Sequence, residues 1–513
     1  MSATSRVNSS ATASATVTDV APGQVTSTGN PQVALYTISP PVAANVAIEF
    51  GTDTTYGLTT STQQAAGSAT PLGTYVAGMI GNTLYHMRAV LQLPDGSQLM
   101  DQDHTFTTGS LPAGSIPQIT VTNPNGLVPQ PGVELFDLIA NGNVSIVPVI
   151  ATDLMGNAIW SYQPGGTTAD IVQPVKLMPN GHFLVTVSPT SSAPLSTTPL
   201  PTGTVDEVRE VDLAGNTIRS ISVDTLNSRL AAAGFNYTAD VIHHDVAVLP
   251  NGHWILIVNS TQQFTDLPGY PGTTTVLGDA LVDLDTNLNP VWMWDSFNYL
   301  DVTRHPYMFP DWTHANAVLY SPTDGNLILS MRHQNWIIKI DYANGKGAGD
   351  ILWHLGEGGD FTLEGGTDPT DWFYAQHGPS FTTQATAGTF GLAVFDNGDD
   401  REYATGETCA SSGAPTCPYS TVQVLTIDES AKTAAFAFHD VLSSYSFFGG
   451  NAEVLANGDI EYDLCTIPTS PTSTAVYEVT PNSPPETAWQ LGTANRSAYR
   501  AFRLPSLYPG VQW

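Results

Sequence analysis

The chain has 513 residues, with 46 Asp and Glu against 15 Lys and Arg and a formal net charge of −31. That length supports a large core and more than one domain, and so acidic a surface repels nucleic acid and anionic lipid, which excludes both as partners. Only 12% of residues are charged, while Gly, Pro, Ser, Thr and Asn are abundant, a composition of strands and turns rather than helices.

In chain order, residues 1–25 (MSATSRVNSSATASATVTDVAPGQV) are rich in Ser, Thr and Ala, without periodicity or an apolar signal core, and read as a flexible tail. From 26 to 112, short alternating runs such as VAIEFG at 46, TLYHMRAVLQL at 83 and HTFTTG at 104 are separated by Gly and Asp-Gly turns, which predicts a small β-sandwich. The stretch from Ile80 to Val90, with Tyr85, resembles fibronectin type III modules. SLPAGSIPQ at 110–118 reads as the linker. No apolar run is long enough to span a membrane as a helix.

Residues 113–513 carry an internal repeat. One hairpin recurs as ATDLMGNAIWSY at 151, EVDLAGNTIRSI at 210, LVDLDTNLNPVWMW at 281, KIDYANGKGAGDILWHL at 339, TIDESAKTAAFAF at 426 and, degenerate, YEVTPNSPPETAWQL at 477. It alternates with a second hairpin: VKLMPNGHFLVTV at 175, VAVLPNGHWILIV at 246, AVLYSPTDGNLILSM at 317 and EVLANGDIEYDL at 453. Two Asn-Gly or Asp-Gly hairpins per unit make four strands. Six such units predict an all-β, six-bladed β-propeller with no helix of useful length.

Three of the 12 histidines stand out by position. His244, His314 and His377 each open the first strand of a predicted blade, the strand that lines a propeller's channel. Asn451 holds the equivalent place later in the chain. Asn316 shares a strand face with His314. Arg332, one of few cations, ends the following strand and reaches across the hairpin. Arg, Asn and several His without a carboxylate suit a tetrahedral oxyanion. Clustered beside Arg332, the imidazoles should be neutral, because like charges disfavour protonation. Asp245 should face away, and the acidic loop DNGDDRE at 396–402 reads as a solvated turn. Cys409 and Cys417 flank a short loop that a disulfide can close; without a Cys-x-x-Cys pair, no structural zinc site is expected.

The segments HHDVAVLPNGHW, DWTHANAVLYSPTDGNLILSMRHQNWIIKID, AQHGPSF and FDNGD resemble the bacterial aryl sulfate sulfotransferases that use no phosphoadenosine phosphosulfate, as does the C-terminal AYRAFRLPSLYPGVQW. The resemblance covers about residues 140–510. It implies a six-bladed propeller with a small N-terminal β-domain and ping-pong transfer of a sulfuryl group from an aryl sulfate donor to a phenolic acceptor. His377 then corresponds to the nucleophile, and His244, His314, Asn316 and Arg332 to the groups that bind and activate the sulfate. No cofactor is expected, and Arg332 beside the histidines argues against a metal, since a cation there is costly. Some members of that family are homodimeric and exported, so a homodimer and a periplasmic or secreted location are the matching expectations, although no export signal is visible. From position alone, Trp312 and Phe373 are candidates to hold the aromatic ring. Two other readings stay open: a non-catalytic ligand-binding propeller, and a metal-dependent lyase or hydrolase with His244, His314 and His377 as ligands.

Overall fold

The computed structural model describes residues 2–4, 12–14, 20–67, 70–139, 147–165, 170–189, 206–386, 388–467, 470 and 473–513. Most of the expected tail lies outside these residues. The protein is all-β, with 48% strand and 5% helix. Its contacts divide it into two units, one of 1–111 with 158–160 and 505–513, the other of 112–157 with 161–504. The last nine residues therefore belong with the smaller unit, although the repeat alone assigns them to the larger region.

In the smaller unit, Gln24–Ser27, Ala34–Ile38 and Leu72–Val76 form one sheet, and Ala44–Gly51 and Leu84–Gln92 centre another. Tyr36, Val46, Ile48, Phe50, Met87 and Leu91 are buried in its core. Their period-2 spacing is the alternation read from the sequence. The Tyr85 hydroxyl accepts a hydrogen bond from Ile80 N at 3.0 Å, tying strand to loop. The terminal Trp513 packs against Phe50 and donates to Thr59 O.

Among the described residues the larger unit holds six sheets, each built round four antiparallel strands; one of them also takes the short strand Thr362–Glu364, in parallel beside Thr433–Val441. Five begin with the strands β1 (Asp170–Leu177), β2 (Val241–Val248), β3 (Ala315–Tyr320), β4 (His377–Thr386) and β5 (Ala452–Val454), each followed by its next three strands outward. In the sixth, the C-terminal β6 (Ala498–Leu504) pairs beside Val133–Leu138, so the two ends of the unit close one sheet. Contacts run from β1 to β2, β2 to β3, β3 to β4 and β4 to β5, then from Ile460–Leu464 to β6 and from β6 back to β1.

Apolar side chains fill the spaces between successive sheets. Val246, Leu256 and Val282 meet Leu184 and Val208 on one side. Ile255 and Trp294 meet Val318, Leu329 and Ile338 on the next. Both faces of these strands are thus covered, which is why their inner runs (WILIV, LILSM, WIIKI) are almost continuously apolar; each buried aliphatic side chain contributes about 1.5–3 kcal/mol.

One helix departs from expectation. Val223–Ala233 forms α1, capped by the Ser222 hydroxyl on Thr225 N and ended by Gly234 in the left-handed region at φ 85°. Its Val223, Leu226 and Leu230 bury one stripe. Cys409 and Cys417 are joined as a disulfide.

Candidate functional site

The first strands are bent where chemistry-bearing residues lie. Pairing slips between Ile242 and Val246 in β2, between Ala315 and Ala317 in β3, and between His377 and Ser380 in β4. Such bulges re-aim side chains. His244 (φ 57°) and His314 (φ 48°) both take the left-handed backbone region, which β-carbon sterics disfavour. Gly378 (φ 49°), next to His377, has no room for a side chain: a Cβ there would lie 2.5 Å from Asn451 Cβ.

His377 is 1% exposed. Its Nδ1 faces two oxygens, Asn397 Oδ1 at 2.7 Å and Ala375 O at 3.1 Å. The Asn397 amide cannot be turned round, because its Nδ2 donates to Ser446 O at 2.7 Å and Gly449 O at 3.1 Å. Nδ1 of His377 is therefore the protonated nitrogen, and Nε2 carries the lone pair. Gln376 anchors the approach to His377 by donating to Ser330 Oγ, Met331 O and Trp336 O.

His244 and His314 pack edge to face at 4.8 Å between ring centroids. Tyr499 packs on both His244 (5.8 Å) and His377 (6.0 Å). Asn316, fully buried, gives one Nδ2 hydrogen to Gln376 O at 2.7 Å, while its Oδ1 lacks a partner. Arg332 donates from Nη2 to Asp399 Oδ2 at 2.6 Å and to Phe447 O at 3.2 Å, and its Nη1 meets His333 Nε2. The structure thus brings His244, His314, His377, Asn316 and Arg332 together.

Electrostatics favours neutral imidazoles. Burial, and then the neighbouring Arg332, hold His377 well below the ordinary imidazole range. His244 is held down by burial, then by His243, His314, His377 and Arg500. Loss of hydration is the larger cause at both, ahead of the like-charge repulsion expected from the sequence. Asp311, by contrast, is pulled down to about 2: burial opposes its charge, but His314 and His333 overcome that cost.

Trp312 and Phe373 lie elsewhere. Trp312 packs with Leu267 and Val276, stacks on Phe297 and donates Nε1 to Arg304 O. Phe373 is fully buried among Trp353, Leu355 and Trp372. Both are core aromatics, with no ring face left for a ligand. The loop 396–402 is not a solvated turn either: Asp396 is buried against Arg401, and Asp399 holds Arg332. Asp245 does turn from the imidazoles, and contacts Lys176 Nζ at 2.5 Å and Arg500 Nη1 at 3.6 Å.

The sequence reading missed several groups. Arg500, 2% exposed, donates to Asn316 O and adds a second cation. Asp311 accepts from His314 Nδ1 at 2.6 Å. The Tyr307 ring stacks on His333 at 4.7 Å. Asp311, His314 and His333 place ligand atoms within 4.8 Å of one another, a different set from the three histidines considered above. Arg332 on His333 Nε2 disfavours a metal there, since a fixed guanidinium repels a second cation.

A family model described as Arylsulfotransferase (ASST) matches residues 136–500. No curated protein matches. Among solved structures, a Synechocystis apocarotenoid oxygenase mutant covers 92% of this chain and 97% of its own at 10% identity and TM-score 0.32. The dihydro-haem d1 dehydrogenase NirN covers 75% and 80% at 13% identity and TM-score 0.31. The exotype rhamnogalacturonan lyase YesX covers 93% and 89% at 9% identity and TM-score 0.25.

Proposed function

The chain belongs to the arylsulfotransferase family, and on that premise we propose that it moves a sulfuryl group from an aryl sulfate to a phenol through a covalent intermediate on His377. The six sheets of the larger unit are, in this reading, the six blades of a propeller, and the first strands carry the site.

The observation that carries the reading is the hydrogen-bonding state of His377. Asn397 and Ala375 hold the proton on Nδ1, so the Nε2 lone pair is available for attack. In the first step the Nε2–S bond forms and the S–O bond to the donor phenol breaks, with one proton delivered to the leaving oxygen. In the second step the acceptor oxygen bonds to sulfur, the S–N bond breaks, and the acceptor proton returns to the protein. Arg332 and Asn316 hold the non-bridging oxygens, whose charge shifts as the bond breaks. His244 and His314 flank the bridging oxygen. The low proton affinity of His377 keeps it nucleophilic at neutral pH.

The Cys409–Cys417 disulfide supports an oxidising, exported location. Incubation with an aryl sulfate and a second phenol, with no nucleotide present, tests the reading. Formation of the second phenol's sulfate ester is expected. Its absence, with purified protein that is folded, refutes the assignment.

A further inference from the structure

His244 is one of a pair. His243 Nδ1 lies 2.6 Å from His244 Nδ1, a direct imidazole–imidazole hydrogen bond in which only one nitrogen can hold the proton. On the far side, His243 Nε2 lies 3.1 Å from Asp279 Oδ1, an ion-pair contact off the line of a good hydrogen bond. Asp279 is 2% exposed. Its other oxygen accepts from Thr313 Oγ1 at 2.6 Å and from Ala315 N at 2.5 Å, which pins the carboxylate facing His243. The two histidines sit in the bulge of β2, which sends adjacent side chains to neighbouring rather than opposite places.

Resting on the transferase reading, we infer that Asp279 and His243 are positioning residues of a proton relay that lets His244 serve as the acid and base for phenols too basic to leave or attack without a proton. In the acceptor step, His244 Nε2 takes the phenol proton while its Nδ1 proton crosses to His243 Nδ1. His243 becomes an imidazolium beside Asp279, and the phenol oxygen bonds to sulfur as the S–N bond breaks. The donor step runs the same transfers in reverse, so protons balance over one cycle.

The relay answers a specific difficulty. A proton left on His244 would face His314, His377 and Arg500 in a buried site, all of which disfavour it. Moving the positive charge one ring outward places it against a carboxylate. His314 gives Nδ1 to Asp311 at 2.6 Å, and its neighbours His244 (4.8 Å) and His333 (4.6 Å) meet it by ring packing between centroids, whereas His243 and His244 meet nitrogen to nitrogen.

The test is leaving-group dependence in a single turnover without acceptor. Para-nitrophenyl sulfate releases a weakly basic phenolate and needs no proton; para-methylphenyl sulfate releases a strongly basic one. His243→Gln should lose roughly 10²-fold on the para-methylphenyl ester, and far less on the para-nitrophenyl ester. Asp279→Asn, which keeps the shape of the carboxylate, should show the same split in weaker form. An equal loss on both esters, or none on either, overturns the relay while leaving the transferase reading standing. Failure of the unmodified protein to release phenol from either ester overturns both.

Discussion

Two buried clusters in the larger unit treat ionisable groups in opposite ways. At the site, imidazoles face one another and two guanidinium groups, and burial holds His244 and His377 well below the ordinary imidazole range. At the junction of the last two sheets, Arg503 is ringed by Glu134 (2.9 Å), Glu461 (2.8 Å) and Glu478 (2.8 Å), while Glu453 accepts from its backbone N. Burial and mutual repulsion push Glu134 and Glu461 well above the carboxylate range. The first leaves a nitrogen lone pair unused, which is what a nucleophile requires; the second spends the guanidinium on three carboxylates and the Gln130 carbonyl, which locks Glu134, Glu461, Glu478 and the C-terminal β6 together.

That contrast predicts which cluster serves turnover and which serves stability. His377→Ala should lower transfer by at least ~10³-fold, with a folded protein whose stability drops by only about 1 kcal/mol for the lost hydrogen bond to Asn397. Steady-state assay and thermal melting check the two halves separately. Arg503→Met should do the reverse: it strands buried carboxylates and costs about 3–5 kcal/mol, read by denaturant unfolding, while the protein that remains folded keeps its transfer chemistry. Arg332→Lys should reduce transfer by roughly 10²-fold, because a point charge replaces the planar fork that the proposed reading assigns to the oxyanion; unchanged turnover would remove Arg332 from that role.

The smallest effect is a difference of slope with pH. His377 has a folded proton affinity below its unfolded one, so its contribution to stability is present above the ordinary imidazole range and is lost as pH falls through it. Asp137, pushed up to about 7 chiefly by burial, behaves oppositely: its contribution is present below the ordinary carboxylate range and is lost as pH rises through about 7. His377→Ala should therefore flatten the loss of unfolding free energy as pH falls through the ordinary imidazole range, and Asp137→Asn the loss as pH rises from the ordinary carboxylate range to about 7.

The histidine positions were legible because the repeat marks the first strand of each sheet, and Asn316 and Arg332 followed from strand alternation and hairpin reach. Arg500 was not legible: it reaches Asn316 across 184 residues of chain, through closure of the last sheet. His243 and Asp279 were hidden for a different reason, since alternation places His243 on the wrong face and only the bulge in β2 returns it. Trp312 and Phe373 show the limit of aromatic residues as signals, because a ring bound for the core and a ring at a rim look alike in sequence. The helix Val223–Ala233 had its Ser222 cap and Gly234 stop in plain view, but its apolar positions continue a strand-like run.

The central claim is the covalent intermediate on His377. The direct measurement is peptide mass analysis after mixing the protein with an aryl sulfate and no acceptor. The account predicts one added sulfuryl group per chain, on the peptide containing His377 and lost when a phenol is then supplied. A label on His244 or His314 would contradict it, as would turnover with no label on any residue, which would mean direct transfer between the two phenols.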